Sequence, residues 1–332
     1  MRVSVLGAGG WGTALSVVLS SNGHQVTLWE YKRNYAKALH KTRHNKIYLP
    51  GIDIPKDITI TNSLDEACEG QHLIVLAIPS QFIRGVVEKI KKYDFHDTII
   101  VSVAKGIEKD SLLTVSLIIK EVLKDIDDKN IGVISGPSHA EEVALKIPTA
   151  VVAASKSERT AEQIQAAFMT SYLRVYSSTD IIGVELGGAL KNVIAVGAGI
   201  IDGAKFGDNT KAAIMTRGIA EISRLGIELG ARPETFSGLS GMGDVIVTCM
   251  SRHSRNRYVG EQIGKGKKLK DVLKSMNMVA EGVVTSKSAR DLAMQAKVDA
   301  PIIDAVYQIL YEDRDARKMT FELMTRDMKS EH

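Results

Sequence analysis

The chain has 332 residues, of which 44% are hydrophobic and 25% charged. That composition excludes wholesale disorder, a collagen-like repeat and a disulfide-stapled miniprotein, and the length suits two domains of about 150 residues each. Forty-three basic against thirty-nine acidic residues leave a net charge of +4, too mild to point to nucleic acid or a membrane surface. The two cysteines, Cys68 and Cys249, lie far apart in no pairing motif, which suits a reducing cytoplasm. The histidines show no zinc spacing, so no metal is expected. Met1-Arg2 runs directly into Val3-Ser4-Val5-Leu6 and then glycines, so no signal peptide is expected. The closest approach to a membrane span, Ile181 to Ile201, contains Glu185 and Lys191, and no span is expected there.

Short apolar runs alternate with helical patterns through the first half. Val3–Leu6, Gln25–Trp29, Leu73–Ile78, Thr98–Val103, Ile131–Ser135, Thr149–Ala154 and Leu173–Tyr176 read as strands. Most are continuous apolar runs, as in a parallel sheet covered on both faces. Trp11–Ser21, Ser80–Lys91 and Ser111–Leu123 read as helices between them. This alternation predicts an N-terminal α/β Rossmann-like domain with a mostly parallel, doubly wound sheet, spanning residues 1–179. Beyond it, helical spacing dominates and predicts an all-α C-terminal domain over 180–332. Asp208–Leu229 repeats apolar residues every three or four positions, with Asp208 as N-cap and Gly230 as stop. Pro301 stands where a further helix begins.

The first strand runs into Gly7-Ala8-Gly9-Gly10-Trp11-Gly12. Alone this glycine pattern is weak; between a strand and a helix it fits a dinucleotide cradle. Gly7 permits the tight turn, Gly9 the close approach of a pyrophosphate, and Gly12 the packing of helix on strand. The end of the second strand carries conflicting cues. Glu30 suits a ribose 2′-hydroxyl and favours NAD. Tyr31, Lys32 and Arg33 suit adenine stacking and a 2′-phosphate and favour NADP. The bland alternative makes Lys32 and Arg33 solvated loop charges.

Lys191 lies in Gly187-Gly188-Ala189-Leu190-Lys191-Asn192-Val193, among small apolar residues. Burial there would lower its pKa and make it a usable proton donor; alternatively its head snorkels to water. Lys105, after the fourth of these strands, and Gly136-Pro137-Ser138, after the fifth, occupy the carboxyl edge where such sheets bind ligands. They could equally be a surface lysine and an ordinary turn. Gly241-Met242-Gly243-Asp244 and the run Ser251-Arg252-His253-Ser254-Arg255-Asn256-Arg257 follow. A helix N-terminus with an arginine fork would hold a phosphate; the bland reading is a solvated basic turn. The lysines of residues 265–270 lack interleaved aromatics and read as an exposed loop. Cys249 reads as a small buried hydrophobe.

These motifs, with Tyr48-Leu49-Pro50, Ala104-Lys105-Gly106-Ile107-Glu108, Ser135-Gly136-Pro137-Ser138-His139-Ala140-Glu141-Glu142-Val143 and Leu239-Ser240-Gly241-Met242-Gly243-Asp244, closely resemble the bacterial-type NAD(P)-dependent glycerol-3-phosphate dehydrogenases over nearly the whole chain. The resemblance implies reversible hydride transfer between NAD(P)H and dihydroxyacetone phosphate, giving sn-glycerol 3-phosphate for glycerophospholipid synthesis. It implies Lys191 as the acid/base. It implies Lys105, Gly136, Ser138, Lys191, Asp244, Ser254, Arg255 and Asn256 at the substrate. It implies Gly10, Trp11, Lys105, Ala140, Arg255, Val279 and Glu281 at the NAD or NADP cofactor, beside the cradle glycines Gly7, Gly9 and Gly12 and the pair Tyr31-Lys32. Many relatives carry Phe and Lys where this chain has His139 and Glu141; others share the His/Glu form. A cytoplasmic homodimer is expected. Two other readings stand beside this one: a related dehydrogenase of β-hydroxyacids or ketopantoate-like substrates, with Arg255 holding a carboxylate, and a non-catalytic NAD(P)-binding redox sensor. The sensor would not need Lys191, Lys105 and Asp244 together.

Overall fold

In the computed structural model, which describes residues 1–276, 278–328 and 330–331, the strands between Arg2 and Ser178 form one sheet. They are β1 (Arg2–Leu6), β2 (Gln25–Trp29), β3 (Thr59–Thr61), β4 (Leu73–Leu76), β5 (Ile99–Ser102), β6 (Ile131–Ser135), β7 (Thr149–Ser155) and β8 (Leu173–Ser178). Among the described residues their order is β3-β2-β1-β4-β5-β6-β7-β8. Neighbours run parallel except β6 and β7, which pair antiparallel from Gly132↔Ser155 to Ser135↔Val152. The chain leaves β1 toward β2 on one side and returns on the other as β4. That reversal opens a crevice at the carboxyl ends of β1 and β4, the usual ligand position in such sheets.

Both faces of the sheet are covered around β1 and β4, while the edge strand β8 leaves Arg174 and Tyr176 exposed. Val3 and Val5 of β1, with Leu73 and Val75 of β4, enter one core. Leu6, Ile74 and Leu76 enter the other. Because side chains alternate across a strand, two buried faces require the continuous apolar runs read above. The edge strand β3 escaped that reading: Thr59-Ile60-Thr61 is three residues long, too short to show a period. The helix expected over Ser111–Leu123 is shorter, Val115–Val122. Leu112 has φ of +59°, and Leu113 O accepts from Glu108 N–H at 3.0 Å, so residues 108–113 form a closed turn. Asp208 is the first residue of its helix, not the cap; Gly207 caps it, at φ +88°. Gly230, at φ +92°, ends the chain's helical path there as expected. The lysine-rich stretch is part loop and part helix, since Leu269–Lys274 is helical.

The helical half is built around Ile181–Ala204. All of its 24 residues except Ile182 and Asp202 are buried. Its length and apolarity would also suit a bilayer, but nearly all of it is buried inside the protein. A helix apolar on all sides is a core helix here. Asp180 starts it: Oδ1 accepts from Gly183 N–H at 3.0 Å, and Oδ2 accepts from Arg232 N–H at 2.9 Å. Glu185 accepts from Ser116 N–H at 2.8 Å, so its carboxyl group satisfies an N-terminal donor of the Val115–Val122 helix.

The helix Arg255–Gly264 packs backbone to backbone against this central helix. A Cβ on Gly260 would stand 1.9 Å from Val196 O, and one on Gly264 2.3 Å from Ile200 O. Across the contact, a Cβ on Gly199 would stand 2.0 Å from Arg257 O and one on Gly203 2.2 Å from Glu261 O. Any side chain at these four positions forces the helices apart. Gly260→Ala is expected to lower the unfolding free energy by at least about 1–3 kcal/mol, the scale of overpacking. Gly85→Ala lies in a helix with open space around the added methyl and is expected to raise it by about 0.4–1 kcal/mol. Denaturant melts of the two variants check the contrast.

Candidate active site

The turn after β1 has the form of a phosphate cradle. Gly7 has φ of +118°, and a Cβ there would stand 2.5 Å from Ala77 O at the end of β4. A Cβ on Gly12 would stand 1.9 Å from Gly7 O, whereas Gly9 faces open space. Gly9 caps the Gly10–Ser21 helix without a side-chain hydrogen bond, leaving first-turn N–H groups for an anion. These features fit a dinucleotide's pyrophosphate. Gly10 lies under Tyr48 O, 2.6 Å from its Cβ position, with the Ala140 methyl 3.7 Å away. Trp11 is partly buried against the sheet core.

The Tyr48 loop is held by Asn45, a fully buried residue that sequence reading passed over. Its Nδ2 donates to Ala8 O at 2.9 Å and to Thr13 Oγ1 at 2.7 Å. Its Oδ1 accepts from Tyr48 N–H and Tyr35 OH. At the end of β2, Glu30 is buried and its Oε1 accepts from Lys32 N–H at 2.9 Å. Burial pushes its carboxyl above the ordinary value, opposed by Lys32. Tyr31 is 67% exposed, and Lys32 and Arg33 are exposed at the start of the Arg33–Thr42 helix. Both cofactor cues therefore survive side by side.

The second half of the chain reaches this crevice through Glu281, the first residue of the Glu281–Gln295 helix. Its carboxylate accepts from Ser80 N–H at 2.8 Å and Ser80 Oγ–H at 2.6 Å. Ser80 begins the helix that follows β4. Burial raises the Glu281 carboxyl; the Ser80 bonds and Arg255 oppose it. Gly106 completes the junction, because a Cβ there would lie 2.3 Å from Ser80 Oγ and 2.7 Å from Glu281 Oε2. Val279 is exposed, and its carbonyl accepts from Arg255 Nη1 at 2.8 Å.

Next to Gly106 stands a buried charge cluster. Asp244, 1% exposed, receives one ammonium from each half of the chain. Lys105 Nζ lies 2.8 Å from Asp244 Oδ2, and Lys191 Nζ lies 2.9 Å from Oδ1. Lys105 also donates to Gly136 O at 2.7 Å and Ser138 Oγ at 3.3 Å. Lys191, 6% exposed, donates to Thr248 Oγ1 at 2.6 Å, and Thr248 donates to Asp244 Oδ1 at 3.2 Å. Lys191 therefore does not snorkel. Burial brings its pKa down to about 8; Asp244 opposes that and Lys105 adds to it. Burial alone would raise the Asp244 carboxyl, but the two lysines outweigh it and hold it below the ordinary range. Two cations against one anion leave the cluster net positive, suited to an oxygen that gains negative charge. Thr248 was missed by sequence reading; it follows Asp244 by four residues on the Asp244–Met250 helix and so shares its face.

A polar chain extends from the cluster to the arginine run. Asn192 Nδ2 donates to Lys105 O at 2.8 Å, Asn256 Nδ2 to Asn192 Oδ1 at 2.7 Å, and Gly282 N–H to Asn256 Oδ1 at 2.9 Å. Ser254 is buried and caps the Arg255–Gly264 helix, accepting from Arg257 N–H at 3.1 Å. The arginines diverge: Arg255 reaches Val279 O, Arg257 turns to Asp202 at 2.8 Å, and Arg252 is exposed. No fork of several arginines forms. His139, between Ser138 and Ala140, stacks obliquely on His253 at 5.7 Å. Cys249 is fully buried, and burial pushes its thiol up to about 12, inert as expected. Among the described residues no group of three His, Cys, Asp or Glu side chains could hold a metal.

Asp244→Asn would leave two ammonium groups facing each other without their anion. It is expected to lower the unfolding free energy by about 3–5 kcal/mol, the scale for breaking a buried pair. An unchanged denaturation midpoint would show that the carboxylate does not hold the two lysines.

Two family models match the chain. Residues 2–161 match the N-terminus of NAD-dependent glycerol-3-phosphate dehydrogenase, and residues 180–321 match its C-terminus. A glycerol-3-phosphate dehydrogenase [NAD(P)+] of Chlorobium phaeobacteroides (strain BS1) is 52% identical over 331 residues, covering 100% of this chain and 99% of that one. One from Geobacter sp. (strain M21) is 49% identical over 330 residues, covering 99% and 98%. The crystal structure of glycerol-3-phosphate dehydrogenase from Coxiella burnetii superposes with a TM-score of 0.93 at 35% identity, covering 98% and 99%. A 2-dehydropantoate 2-reductase-like structure from Enterococcus faecalis, at 15% identity and a TM-score of 0.57 over 98% and 100%, shares the fold alone. With both halves matched in order and full-length relatives near half identity, the chain belongs to the NAD-dependent glycerol-3-phosphate dehydrogenase family.

Proposed function

We propose that the protein interconverts dihydroxyacetone phosphate plus NAD(P)H and a proton with sn-glycerol 3-phosphate plus NAD(P)+. The observation that carries this reading is the buried Lys105–Asp244–Lys191 cluster at the carboxyl edge of the sheet, beside the glycine cradle. Residues 1–179 act as the cofactor-binding domain, and residues 180–332 supply most of the substrate site.

When bound, the nicotinamide exchanges a hydride with the substrate C2. Gly7, Gly9, Gly10, Trp11 and Gly12 would cradle the dinucleotide's phosphates, Tyr31 and Lys32 would hold its adenosine end, and Ala140, Val279 and Glu281 would line the rest. Lys191 Nζ gives its proton to the carbonyl oxygen in reduction and recovers it in oxidation. Asp244 and Thr248 fix that ammonium in place, so little reorganisation is needed as charge develops. Lys105, held by Gly136 O and Ser138, places a second positive charge against the same oxygen. Arg255, Ser254 and Asn256 bind the phosphate remote from the reacting carbon, and that binding orients the carbonyl. Arg255 also serves the cofactor through the Val279 segment. Both cysteines are unpaired and buried, which supports a reducing, cytoplasmic setting. A homodimer accords with the general preference of soluble oligomers for twofold symmetry; sedimentation tests it. Supply of glycerol 3-phosphate for phospholipids is the role this reaction suits.

The direct test is the initial rate of NADPH and, separately, NADH oxidation with dihydroxyacetone phosphate against unphosphorylated dihydroxyacetone. Rapid, phosphate-dependent oxidation is expected. Folded protein that binds the cofactors but oxidises neither would sink the proposal and favour a carboxylate-bearing ketone. Lys191→Ala is expected to lower kcat by about 10²–10⁴-fold, the usual worth of a general acid, while cofactor binding, read by fluorescence, persists.

The pH dependence follows from Lys191. Its pKa is drawn down to about 8, so the donor is charged below that pH and neutral above it. The kcat/KM for ketone reduction is expected to be level below about pH 8 and to fall about tenfold per unit above it. Oxidation of glycerol 3-phosphate needs the neutral amine and should rise through the same range. Reduction that stays level to pH 10 would remove Lys191 as the donor.

A further inference from the structure

The proposed phosphate site uses one arginine of the run, Arg255, and leaves Arg257 without a role. The Arg257 side chain nevertheless joins the turn that carries the site to the central helix. Its Nε donates to Ser251 O at 3.2 Å, and its backbone N–H donates to Ser254 Oγ at 3.1 Å. The side chain thus holds the start of the 251–254 turn, and the backbone N–H receives the Ser254 cap at its end. Its Nη1 donates to Asp202 Oδ2 at 2.8 Å and lies 3.3 Å from Glu261 Oε2. Asp202 Oδ2 also accepts from Lys211 Nζ at 2.8 Å. The Asp202 and Arg257 side chains keep 24% and 18% exposure, shielded enough for the pair to hold its geometry.

Asp202 lies on the central helix, three turns after Lys191. That helix is a rigid rod buried along its length. The carbonyl and phosphate of the substrate are joined by a single CH2–O link, so proton donor and phosphate site must stand within that short reach of each other.

We infer that Asp202 and Arg257 are positioning residues for the substrate phosphate: through them the central helix that holds Lys191 also sets where Ser254, Arg255 and Asn256 stand. The inference rests on the phosphate site proposed above. Neither residue needs to touch substrate.

The test is a mutant cycle read in steady-state kinetics with NADPH. Asp202→Asn is nearly isosteric and removes the anion. Arg257→Lys keeps the charge but cannot reach Asp202 and Ser251 O together. Each is expected to raise KM for dihydroxyacetone phosphate about tenfold, the scale for a small misplacement of a binding group, with the larger share of the effect in KM rather than kcat. Each should also narrow the preference for phosphorylated over unphosphorylated dihydroxyacetone, which a general loss of stability would not do. In an Arg255→Ala background, Asp202→Asn should add little, because the group it positions is gone. Thermal melts confirm that each variant is folded.

If Arg255→Ala raises KM while Asp202→Asn and Arg257→Lys leave it unchanged, the positioning role falls and the phosphate site stands. Full additivity of Asp202→Asn and Arg255→Ala overturns it as well. If Arg255→Ala itself leaves KM unchanged, the phosphate site falls and takes the inference with it.

Discussion

The arrangement depends on one buried carboxylate. Asp244 is sealed from water yet lies within 3 Å of two ammonium groups, Lys105 from the sheet half and Lys191 from the helical half. Burying any of these charges alone would be strongly unfavourable. Together they hold one another, and the geometry that does so draws the two halves of the chain into contact. The same constraint tunes the chemistry. Burial draws Lys191 down to about 8 against the pull of Asp244, close to the point where it can both give and take a proton near neutral pH.

Such a site needs a support that does not yield, and the central helix provides it. Glycines on two faces let neighbours approach to backbone contact: Gly199 and Gly203 meet the Arg255–Gly264 helix, Gly187 meets Ser240 O, and Gly188 meets Ser135 Oγ. Glycine inside a helix costs about 1 kcal/mol relative to alanine. The close packing it permits offsets that cost and fixes Lys191 relative to everything around it. Rigidity and reactivity therefore share a cause, since the packing that excludes water from Lys191 also immobilises it.

The cofactor crevice is joined to this support at a second point. Glu281 places its carboxylate on the N-terminal turn of the helix after β4, and Gly106 lets the Lys105 segment pass directly beneath. The ends of β4, β5 and β6 and the starts of two C-terminal helices thereby converge on one region. Ser254 illustrates the economy of that region. Its hydroxyl oxygen caps the Arg255–Gly264 helix, and the same residue stands where the phosphate is proposed to bind.

Much of this was legible in the residues alone. Apolar runs, most of them continuous, marked seven of the strands, because a sheet covered on both faces leaves little room for polar side chains. The edge strand β8, with Arg174 and Tyr176 exposed, alternates instead. The glycine loop marked the crevice, because few other residues tolerate its turn. Lys191 was conspicuous because an ammonium among small apolar residues must either be buried with a partner or reach water along its stem. What the sequence could not decide were relations between distant positions. Whether Lys191 snorkelled or was buried depended on Asp244, 53 residues away in sequence (244 − 191). Asn45 and Thr248 looked ordinary because their roles arise from partners brought in by folding. The arginine run looked like a fork, yet Asp202 draws Arg257 away from Arg255. Local pattern determines which elements form, since backbone and burial preferences act over a few residues. Only tertiary structure determines which charges meet, since pairing energy depends on distance in space and on the water that packing excludes.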